Sequence, residues 1–203
     1  QSAQAMGIYY GIFDTGERHR AFERLLEILH RDGDKVTCGF LGLRVLFHVL
    51  SAFGESELAY RMITDRTYPS YGYFVEKGMT TLPEQFLPDE KRRLLSQNHH
   101  FLGDVVQWYM RYPGGICVEN SRKVMIRPVF IHSLEHASAS HRLPAGEVCS
   151  TWHREGDRIR LEVTCPAQAA CETWLEDGYV FEEDGNSYRE DGRGSYWIRK
   201  ISS

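Results

Sequence analysis

The sequence lacks several features that would place the protein in a specialised class. It has no run of 18 or more consecutive apolar residues, so we expect no membrane-spanning helix and no membrane partner. The formal net charge is only −4, and charges of both signs are spread along the 203 residues. This balance argues against a nucleic-acid partner, because phosphates demand a basic surface. The length allows one ordinary domain or two small ones.

The sequence has few cysteines, and their spacing matches no metal-binding or redox motif. The five cysteines are Cys38, Cys117, Cys149, Cys165 and Cys171, and none of them forms a CxxC pair. The odd count and the spacing argue against a zinc site or a disulfide framework, so we predict no metal and no cofactor. We expect mostly reduced thiols in or near cores, with Cys165 and Cys171 as the one pair that could bridge. Reduced thiols favour a cytoplasmic setting.

Helical periodicity runs through residues 1–112. The first pattern, over residues 1–13, has no initiator Met and no clear cap before it, which predicts that the chain is a piece of a longer protein. Asp14 and Glu17 then have the spacing of a capping box at the start of a second helix. Gly33 is a typical stop for that helix.

Three more helical patterns and a long loop complete this half. Residues 40–53 are apolar on nearly every side and predict a helix that is buried all round. Residues 57–63 predict a short amphipathic helix, residues 67–97 a long irregular stretch, and residues 99–112 a helix that packs on two sides. A closed barrel of twelve helices needs a few hundred residues at roughly 11–12 residues per helix, so this helical half is predicted to be incomplete.

A period of two replaces the helical period after Pro113-Gly114-Gly115. Residues 158–165 alternate apolar and polar side chains, and Glu155-Gly156-Asp157 predicts a turn that joins them to residues 148–154 in a hairpin. Further strands are predicted over residues 124–131, 169–175 and 196–201. The expected fold is therefore α+β with two domains, a helical domain over residues 1–114 and an antiparallel β-sandwich over residues 115–203.

The segment from Gly78 to Phe86 is the predicted seat of chemistry. Long loops inside compact domains are usually functional, and this one places Glu84 among aromatic and glycine residues. A carboxylate between aromatic platforms suits acid or base chemistry on a sugar, since glycoside hydrolysis uses two carboxylates across the scissile bond. The alternative interpretation of Glu84 is an exposed loop glutamate.

His99 is a second candidate, at the start of the last helix. Its neighbour His100 points about 100° away on a helix, so the two are poor joint metal ligands. His99 either donates a hydrogen bond to a sugar hydroxyl or serves as a capping or core-edge histidine.

Six motifs in a fixed order give the chain a family resemblance. It resembles the C-terminal part of bacterial α-L-rhamnosidases with an (α/α)6-barrel catalytic domain. The helical motifs are Gln4-Ala5, Gly39-Phe40-Leu41-Gly42, Leu58-Ala59-Tyr60-Arg61, Tyr68-Pro69-Ser70-Tyr71-Gly72-Tyr73, Thr80-Thr81-Leu82-Pro83-Glu84 and Asn98-His99-His100-Phe101 with Gly103. Beyond them, Ile126-Arg127-Pro128 and the hairpin over residues 148–163 look like the family's closing β-sandwich.

The resemblance implies an inverting glycoside hydrolase whose substrate is a rhamnosylated glycan or glycoside. Glu84 matches the family's general base and His99 a residue that contacts rhamnose. The motif residues Phe40, Tyr71 and Thr81 are predicted to contact the substrate as well. The family's general acid lies in an earlier part of the barrel, so the resemblance implies that this chain alone is inactive.

Some departures and alternatives leave the sugar open. Pro83 stands where the family usually has Trp, and Gln85 and Phe86 stand where it has Arg-Trp. A non-catalytic carbohydrate-binding or scaffolding module, and a sugar lyase or epimerase on a helical-barrel scaffold, are the other functions to weigh. If half a barrel is absent, helices such as residues 40–53 lose packing partners, which predicts self-association through the exposed helical face.

Overall fold

The computed structural model describes residues 1–86 and 95–201 of the chain. The chain divides into two compact units, Gln1–Val106 and Gln107–Ser203. The first unit is helical, and the second is built from strands that follow the end of a helix. A helical region followed by β-sheets confirms the predicted α+β class.

The first unit begins with five α-helices in chain order. They are Ser2–Tyr9 (α1), Thr15–Arg31 (α2), Phe40–Ala52 (α3), Ser56–Thr64 (α4) and Tyr71–Glu76 (α5). The predicted capping box at α2 is confirmed: Asp14 Oδ1 accepts the backbone N–H of Glu17 at 2.8 Å, and Glu17 Oε2 accepts that of Asp14 at 3.2 Å. Both exchanges satisfy donors that a helix start leaves unpaired.

Helix α3 is the centre of the helical unit, with α1 and α4 packed against it. Its residues from Val45 to Ser51 are all buried, as its apolar sequence predicts. The close approach of α1 requires Gly42, because a Cβ at that position would lie 2.5 Å from Ser2 Oγ. The expectation that α3 has an open apolar face is met only at its two ends, where Leu41 and Ala52 are exposed and Phe40 is half-buried, while the apolar side chains between them are buried.

The segment around residues 67–112 differs from its prediction in two ways. Helix α5 lies within the stretch predicted to be irregular, and the Ser70 side chain caps it by accepting the N–H of Tyr73 at 3.0 Å. The single helix predicted over residues 99–112 is instead a 3₁₀ helix, His100–Gly103, followed by an α-helix, Asp104–Arg111 (α6). The part of the irregular prediction that falls on residues 87–94 lies outside the described residues.

Strands of the second unit form two sheets. In chain order they are Ile116–Asn120 (β1), Lys123–Ile126 (β2), His136–Leu143 (β3), Gly146–Glu155 (β4), Arg158–Thr164 (β5), Ala170–Trp174 (β6), Tyr179–Phe181 (β7), Tyr188–Arg189 (β8) and Gly194–Lys200 (β9). One sheet has the order β3-β4-β5-β9-β7 and the other β1-β2-β6-β8. The predicted hairpin is confirmed, with Glu155 opposite Arg158 and Trp152 opposite Leu161.

One strand pair departs from the antiparallel prediction. The five-stranded sheet is antiparallel throughout, but β2 and β6 of the other sheet run parallel, with Val124 opposite Cys171. A parallel pair needs a crossover, and the chain between these two strands supplies it by building β3, β4 and β5 of the other sheet.

A single hydrophobic core joins the inner faces of both sheets. Trp152 and Leu161 from the five-stranded sheet and Ile126 and Cys171 from the four-stranded sheet belong to the same cluster of buried residues. All five cysteines are free thiols in the structure, Cys165 and Cys171 among them. Among the described residues, no helix is long and apolar enough to cross a membrane.

Candidate active site

The loop that follows α5 is held in place at both of its ends. Gly78 adopts φ 65°, which lets the chain leave the helix, and its N–H donates to the carbonyl of Val75 at 2.9 Å. Further along, the N–H of Glu84 donates to Ser96 at 3.0 Å, and the N–H of His99 donates to Leu82 at 2.8 Å. Two sequence-distant segments therefore lie side by side, and they bring Glu84 and His99 into one neighbourhood.

Glu84 is half-buried on this loop. Within residues 1–86 and 95–201, its carboxylate forms no hydrogen bond and no ion pair. The backbone of Glu84 is therefore fixed, and within the described part of the chain no donor occupies its oxygens, which can accept a proton from a ligand or a water.

His99 caps the 3₁₀ helix through its ring. Nδ1 accepts the backbone N–H of Phe101 at 3.2 Å, so the capping interpretation of this residue is confirmed. The same contact has a chemical consequence, because a nitrogen that accepts carries no proton. In the neutral ring the proton therefore sits on Nε2, which has no hydrogen-bond partner among the described residues and can donate to a ligand.

Phe40 and Thr81 are placed beside this pair. The ring of Phe40 stacks on Phe101 with centroids 4.2 Å apart, and the Phe101 ring in turn lies 3.9 Å from that of His99. Thr81 is exposed and its Oγ1 donates to the carbonyl of Gln97 at 2.5 Å. Both residues thus adjoin the segment that carries His99.

Tyr71 differs from the other predicted contacts because it is buried. Its hydroxyl donates to the carbonyl of Leu102 at 2.9 Å, and its ring lies edge-on to Phe86 at 5.2 Å. Burial, together with the Asp104 carboxylate, raises the pKa of this tyrosine. The geometry favours a role in positioning the loop rather than in presenting an open aromatic surface.

A pocket of about 410 Å³ lies next to the Glu84 loop. Its walls come from the segment before α3, the start of α3, the segment before α5, the loop after Glu84, and the 3₁₀ helix; the lining residues are Val36, Thr37, Cys38, Gly39, Phe40, Leu43, Tyr68, Pro69, Gln85, Phe86 and Leu102. The volume falls within the range of small-molecule sites, and its mixture of apolar walls and a few polar groups is typical of them.

The electrostatics of the pocket wall do not favour a nucleophilic thiol. Burial raises the pKa of Cys38 to about 11, so the thiol stays protonated and unreactive near neutral pH. Among the described residues there is no group of three or more His, Cys, Asp or Glu side chains that could hold a metal ion. As far as residues 1–86 and 95–201 show, the available chemistry is that of an unpaired carboxylate and an imidazole N–H beside an apolar pocket.

Two protein-family models match the sequence of this chain. The bacterial alpha-L-rhamnosidase 6 hairpin glycosidase domain matches residues 1–112, and the bacterial alpha-L-rhamnosidase C-terminal domain matches residues 121–189. The chain belongs to the bacterial α-L-rhamnosidase family. The resemblance drawn from the six motifs is thereby confirmed.

The curated relatives of this chain are named alpha-L-rhamnosidase. An alpha-L-rhamnosidase of Formosa agariphila is 29% identical over 180 residues, covering 85% of this chain and 19% of that protein. One of Streptomyces avermitilis is 28% identical over 215 residues, covering 97% of this chain and 21% of that protein. The chain therefore spans about a fifth of the length of the curated relatives it matches.

Solved α-L-rhamnosidase structures share the fold of the chain. The structure of the Streptomyces avermitilis enzyme complexed with L-rhamnose superposes with a TM-score of 0.86 and 27% identity, over 98% of this chain and 21% of that one. The structure of the native enzyme from Aspergillus terreus superposes with a TM-score of 0.87 and 25% identity, over 99% of this chain and 24% of that one. The match extends through both the helical and the β units.

Sequence reasoning missed part of the pocket in this family member. Cys38 and Leu102 were not predicted as site residues, yet both line the cavity, whereas Gln85 lines it from within the predicted segment Gly78 to Phe86. Leu102 directly follows the motif Asn98-His99-His100-Phe101, so its position beside that motif was an available signal. Cys38 lies between helices and carries no pattern of its own, and only the fold places it in the wall.

Proposed function

We propose that this chain contributes the general base of an inverting hydrolysis of terminal α-L-rhamnosides, with Glu84 as that base. One observation carries the proposal: the Glu84 carboxylate is free among the described residues, while its backbone is fixed to Ser96 and its two following residues line the pocket. A base must keep a lone pair for the water that it activates, and it must be held in one position. Family membership supplies the reaction class.

The second carboxylate of the reaction is assigned to the rest of the whole protein. An inverting enzyme needs an acid and a base about 6.5–9.5 Å apart, with room for a water between the base and the sugar. The chain spans about a fifth of its curated relatives, and the resemblance puts the acid in an earlier part of the barrel. We therefore expect the 203-residue chain alone to show no turnover.

We assign residues 1–114 to the C-terminal portion of an (α/α)6-barrel domain and residues 115–203 to a β-sandwich domain. The helical assignment is supported by the match of the 6 hairpin glycosidase model to residues 1–112. The sandwich assignment is supported by the single core that the inner faces of the two sheets share.

His99 is proposed to donate its Nε2–H to a sugar hydroxyl. The support is the contact at its other nitrogen, where the Phe101 N–H fixes the tautomer. Phe40 offers a half-buried ring on the pocket wall for the apolar face of a sugar, and the Thr81 oxygen can still accept a hydrogen bond. Contact of the substrate with Tyr71 stays a prediction, and its buried ring favours support of Phe86 and the 3₁₀ helix.

The experiment is a single substitution in the complete protein that carries this chain. Glu84→Gln keeps the size of the side chain and removes its basicity, so kcat on p-nitrophenyl α-L-rhamnopyranoside should fall about 10²- to 10⁴-fold. Glu76→Gln, on the exposed end of α5, is the matched control and should leave kcat within about twofold. Unchanged turnover in Glu84→Gln overturns the proposal, and so does hydrolysis by the isolated chain.

A non-catalytic sugar-binding function is the second candidate. It is favoured by the pocket, whose lining is largely apolar and does not include the Glu84 carboxylate. A sugar held there needs no base, so titration of the complete protein with L-rhamnose should give the same Kd for Glu84→Gln as for the unchanged protein. Binding that survives together with no hydrolysis by the unchanged protein selects this function.

A further inference from the structure

The middle of α3 contains a buried histidine that the proposed reaction does not use. His48 is only 6% exposed, and its Nε2 lies 3.1 Å from Oδ2 of Asp104. Because a carboxylate oxygen can only accept, the imidazole donates through Nε2–H in either of its charge states. Arg44, one turn earlier on α3, approaches the other oxygen of Asp104 at 3.8 Å, but its side chain is largely exposed and the pairing is screened by water.

Asp104 occupies a junction in the chain. It is the first residue of α6 and directly follows the 3₁₀ helix His100–Gly103. The contact with His48 therefore ties the end of that short helix to the rigid interior of the helical unit. Short 3₁₀ helices have poor internal hydrogen-bond geometry, so their position depends on such outside contacts.

Two other contacts hold the same short helix at different points. The Phe101 ring stacks on Phe40 at 4.2 Å, and the carbonyl of Leu102 accepts the hydroxyl of Tyr71 at 2.9 Å. Of the three restraints, the His48–Asp104 contact is the one made at the C-terminal end of the turn. Without it, the other two contacts still hold Phe101 and Leu102, but the C-terminal end of the turn loses its link to α3.

The position of this turn determines the state of His99. Among the described residues, the ring of His99 accepts one hydrogen bond, on Nδ1 from the N–H of Phe101 at 3.2 Å, and that N–H belongs to the turn. The rings of His100 and Phe101 also pack on it, but they do not determine which nitrogen carries the proton. If the turn shifts, the N–H moves away from Nδ1, and the neutral ring can then place its proton on either nitrogen. A change at Asp104 is thereby passed to the ring of His99 through the backbone from Gly103 back to Phe101.

We propose that the His48–Asp104 pair is a positioning device that sets the orientation and the Nε2–H tautomer of His99. The relation is of the kind found around metal-bound and catalytic histidines, where an outer group fixes which nitrogen carries the proton. The coupling itself rests on the contacts above. Its effect on catalysis rests on the proposed function, in which His99 donates to the substrate.

The direct test measures the protonation of the two His99 ring nitrogens rather than enzymatic activity. In the 203-residue chain, ¹⁵N chemical shifts of the His99 ring should show one protonated and one unprotonated nitrogen at alkaline pH, where histidine rings are neutral. His48→Leu fills a similar volume without the donor and should move the two ¹⁵N shifts toward each other. His48→Gln keeps an N–H near the position of Nε2 and should restore much of their separation.

A matched control and a second variant keep the test decisive. His30 forms a pair with Asp34 at 2.8 Å of the same kind, but it lies exposed on α2, and His30→Leu should leave the His99 shifts unchanged. If His48→Leu fails to fold, Asp104→Ala breaks the same contact from its half-buried side and should give the same change. Unchanged His99 shifts in a folded His48→Leu or Asp104→Ala variant overturn the inference.

Activity then separates this inference from the proposed function. In the complete protein, His48→Leu should lower kcat about 10- to 100-fold, as expected for a misplaced contact group, with partial recovery in His48→Gln. If Glu84→Gln leaves turnover intact, the proposed function fails whatever the His99 shifts show. If Glu84→Gln abolishes turnover and His48→Leu changes neither kcat nor the His99 shifts, only the positioning device fails.

Discussion

The backbone N–H of Glu84 donates to the carbonyl of Ser96 at 3.0 Å, across eleven intervening residues. A second backbone bond joins the N–H of His99 to the carbonyl of Leu82 at 2.8 Å. The two bonds hold the loop of the proposed base against the segment that carries His99, the proposed hydrogen-bond donor to the sugar. Neither bond involves a side chain, so substitutions at Glu84 and His99 can change chemistry without releasing the loop. This makes the two positions suitable for clean mutational tests.

The core of the β unit depends on a hydrogen bond inside it. Trp152 is fully buried, and its Nε1–H donates to the carbonyl of Pro113 at 2.7 Å. Trp152→Phe leaves that carbonyl unpaired and creates a small cavity, so we expect a loss of about 3 kcal/mol in the free energy of unfolding. Urea denaturation followed by circular dichroism measures it.

Trp174→Phe is the control for that measurement, because Trp174 is 39% exposed on β6. It should change the free energy of unfolding by less than about 0.5 kcal/mol. Equal effects of the two substitutions would show that burial and the bond to Pro113 do not stabilise this unit.

Asp65 should make the helical unit sensitive to acid. Burial alone would raise the pKa of this carboxyl, but hydrogen bonds from Lys35 and Thr67 outweigh it and hold the pKa below the ordinary value of 3.8. A carboxyl with a lowered pKa in the folded state stabilises the protein above its unfolded pKa, and the stabilisation is lost as the pH falls through the folded value. Asp65→Asn should therefore lower the urea midpoint at neutral pH and have little effect near pH 2.

Lys35→Met is the companion to Asp65→Asn, since it removes the partner and keeps the carboxyl. Lys35→Met should weaken the pH dependence of the urea midpoint, because the pKa of the Asp65 carboxyl is lowered less without the Lys35 hydrogen bond. A difference between Asp65→Asn and the unchanged chain that is constant from pH 7 to pH 2 would contradict this account.

The end of α1 is the surface through which we expect the chain to self-associate. Tyr9, Tyr10 and Ile12 are 51%, 59% and 73% exposed, and such neighbouring apolar side chains favour association. Sedimentation of the 203-residue chain at micromolar concentration should show a dimer or a larger species. Ile12→Lys should raise the dissociation constant by roughly tenfold or more, a change of about 1.4 kcal/mol.

Val75→Lys is the control for this surface, because Val75 is 76% exposed but lies on α5. It should leave the sedimentation profile unchanged. A monomeric profile of the unchanged chain, or equal effects of Ile12→Lys and Val75→Lys, would contradict association through the end of α1.

Local signals predicted local structure well in this chain. The capping box of Asp14 and Glu17 and the strand alternation before Cys165 were readable because each depends on residues a few positions apart. Helix α5 was missed because its aromatic and glycine content obscured the Ser70 cap. Strand β3 was missed because only Ala139 and Leu143 of its eight residues are buried, which leaves little alternation.

Non-local structure could not be predicted from the same patterns. The parallel pairing of β2 with β6 joins segments about fifty residues apart, and no short pattern determines which strands meet. The burial of Tyr71 and the contact of His48 with Asp104 likewise depend on how helices pack. The predicted site residues fall in one neighbourhood because the motif order supplied tertiary information that spacing alone lacks.

Rescue by azide distinguishes a Glu84 carboxylate that activates water from one with any other role. Azide is already a nucleophile and needs no base, so Glu84→Ala in the complete protein should lose hydrolysis of an α-L-rhamnoside and regain turnover when sodium azide is added. The product should be β-L-rhamnosyl azide, identified by NMR, because azide attacks from the face that water uses. Absence of azide rescue, or a product of the α configuration, would contradict the base role of Glu84.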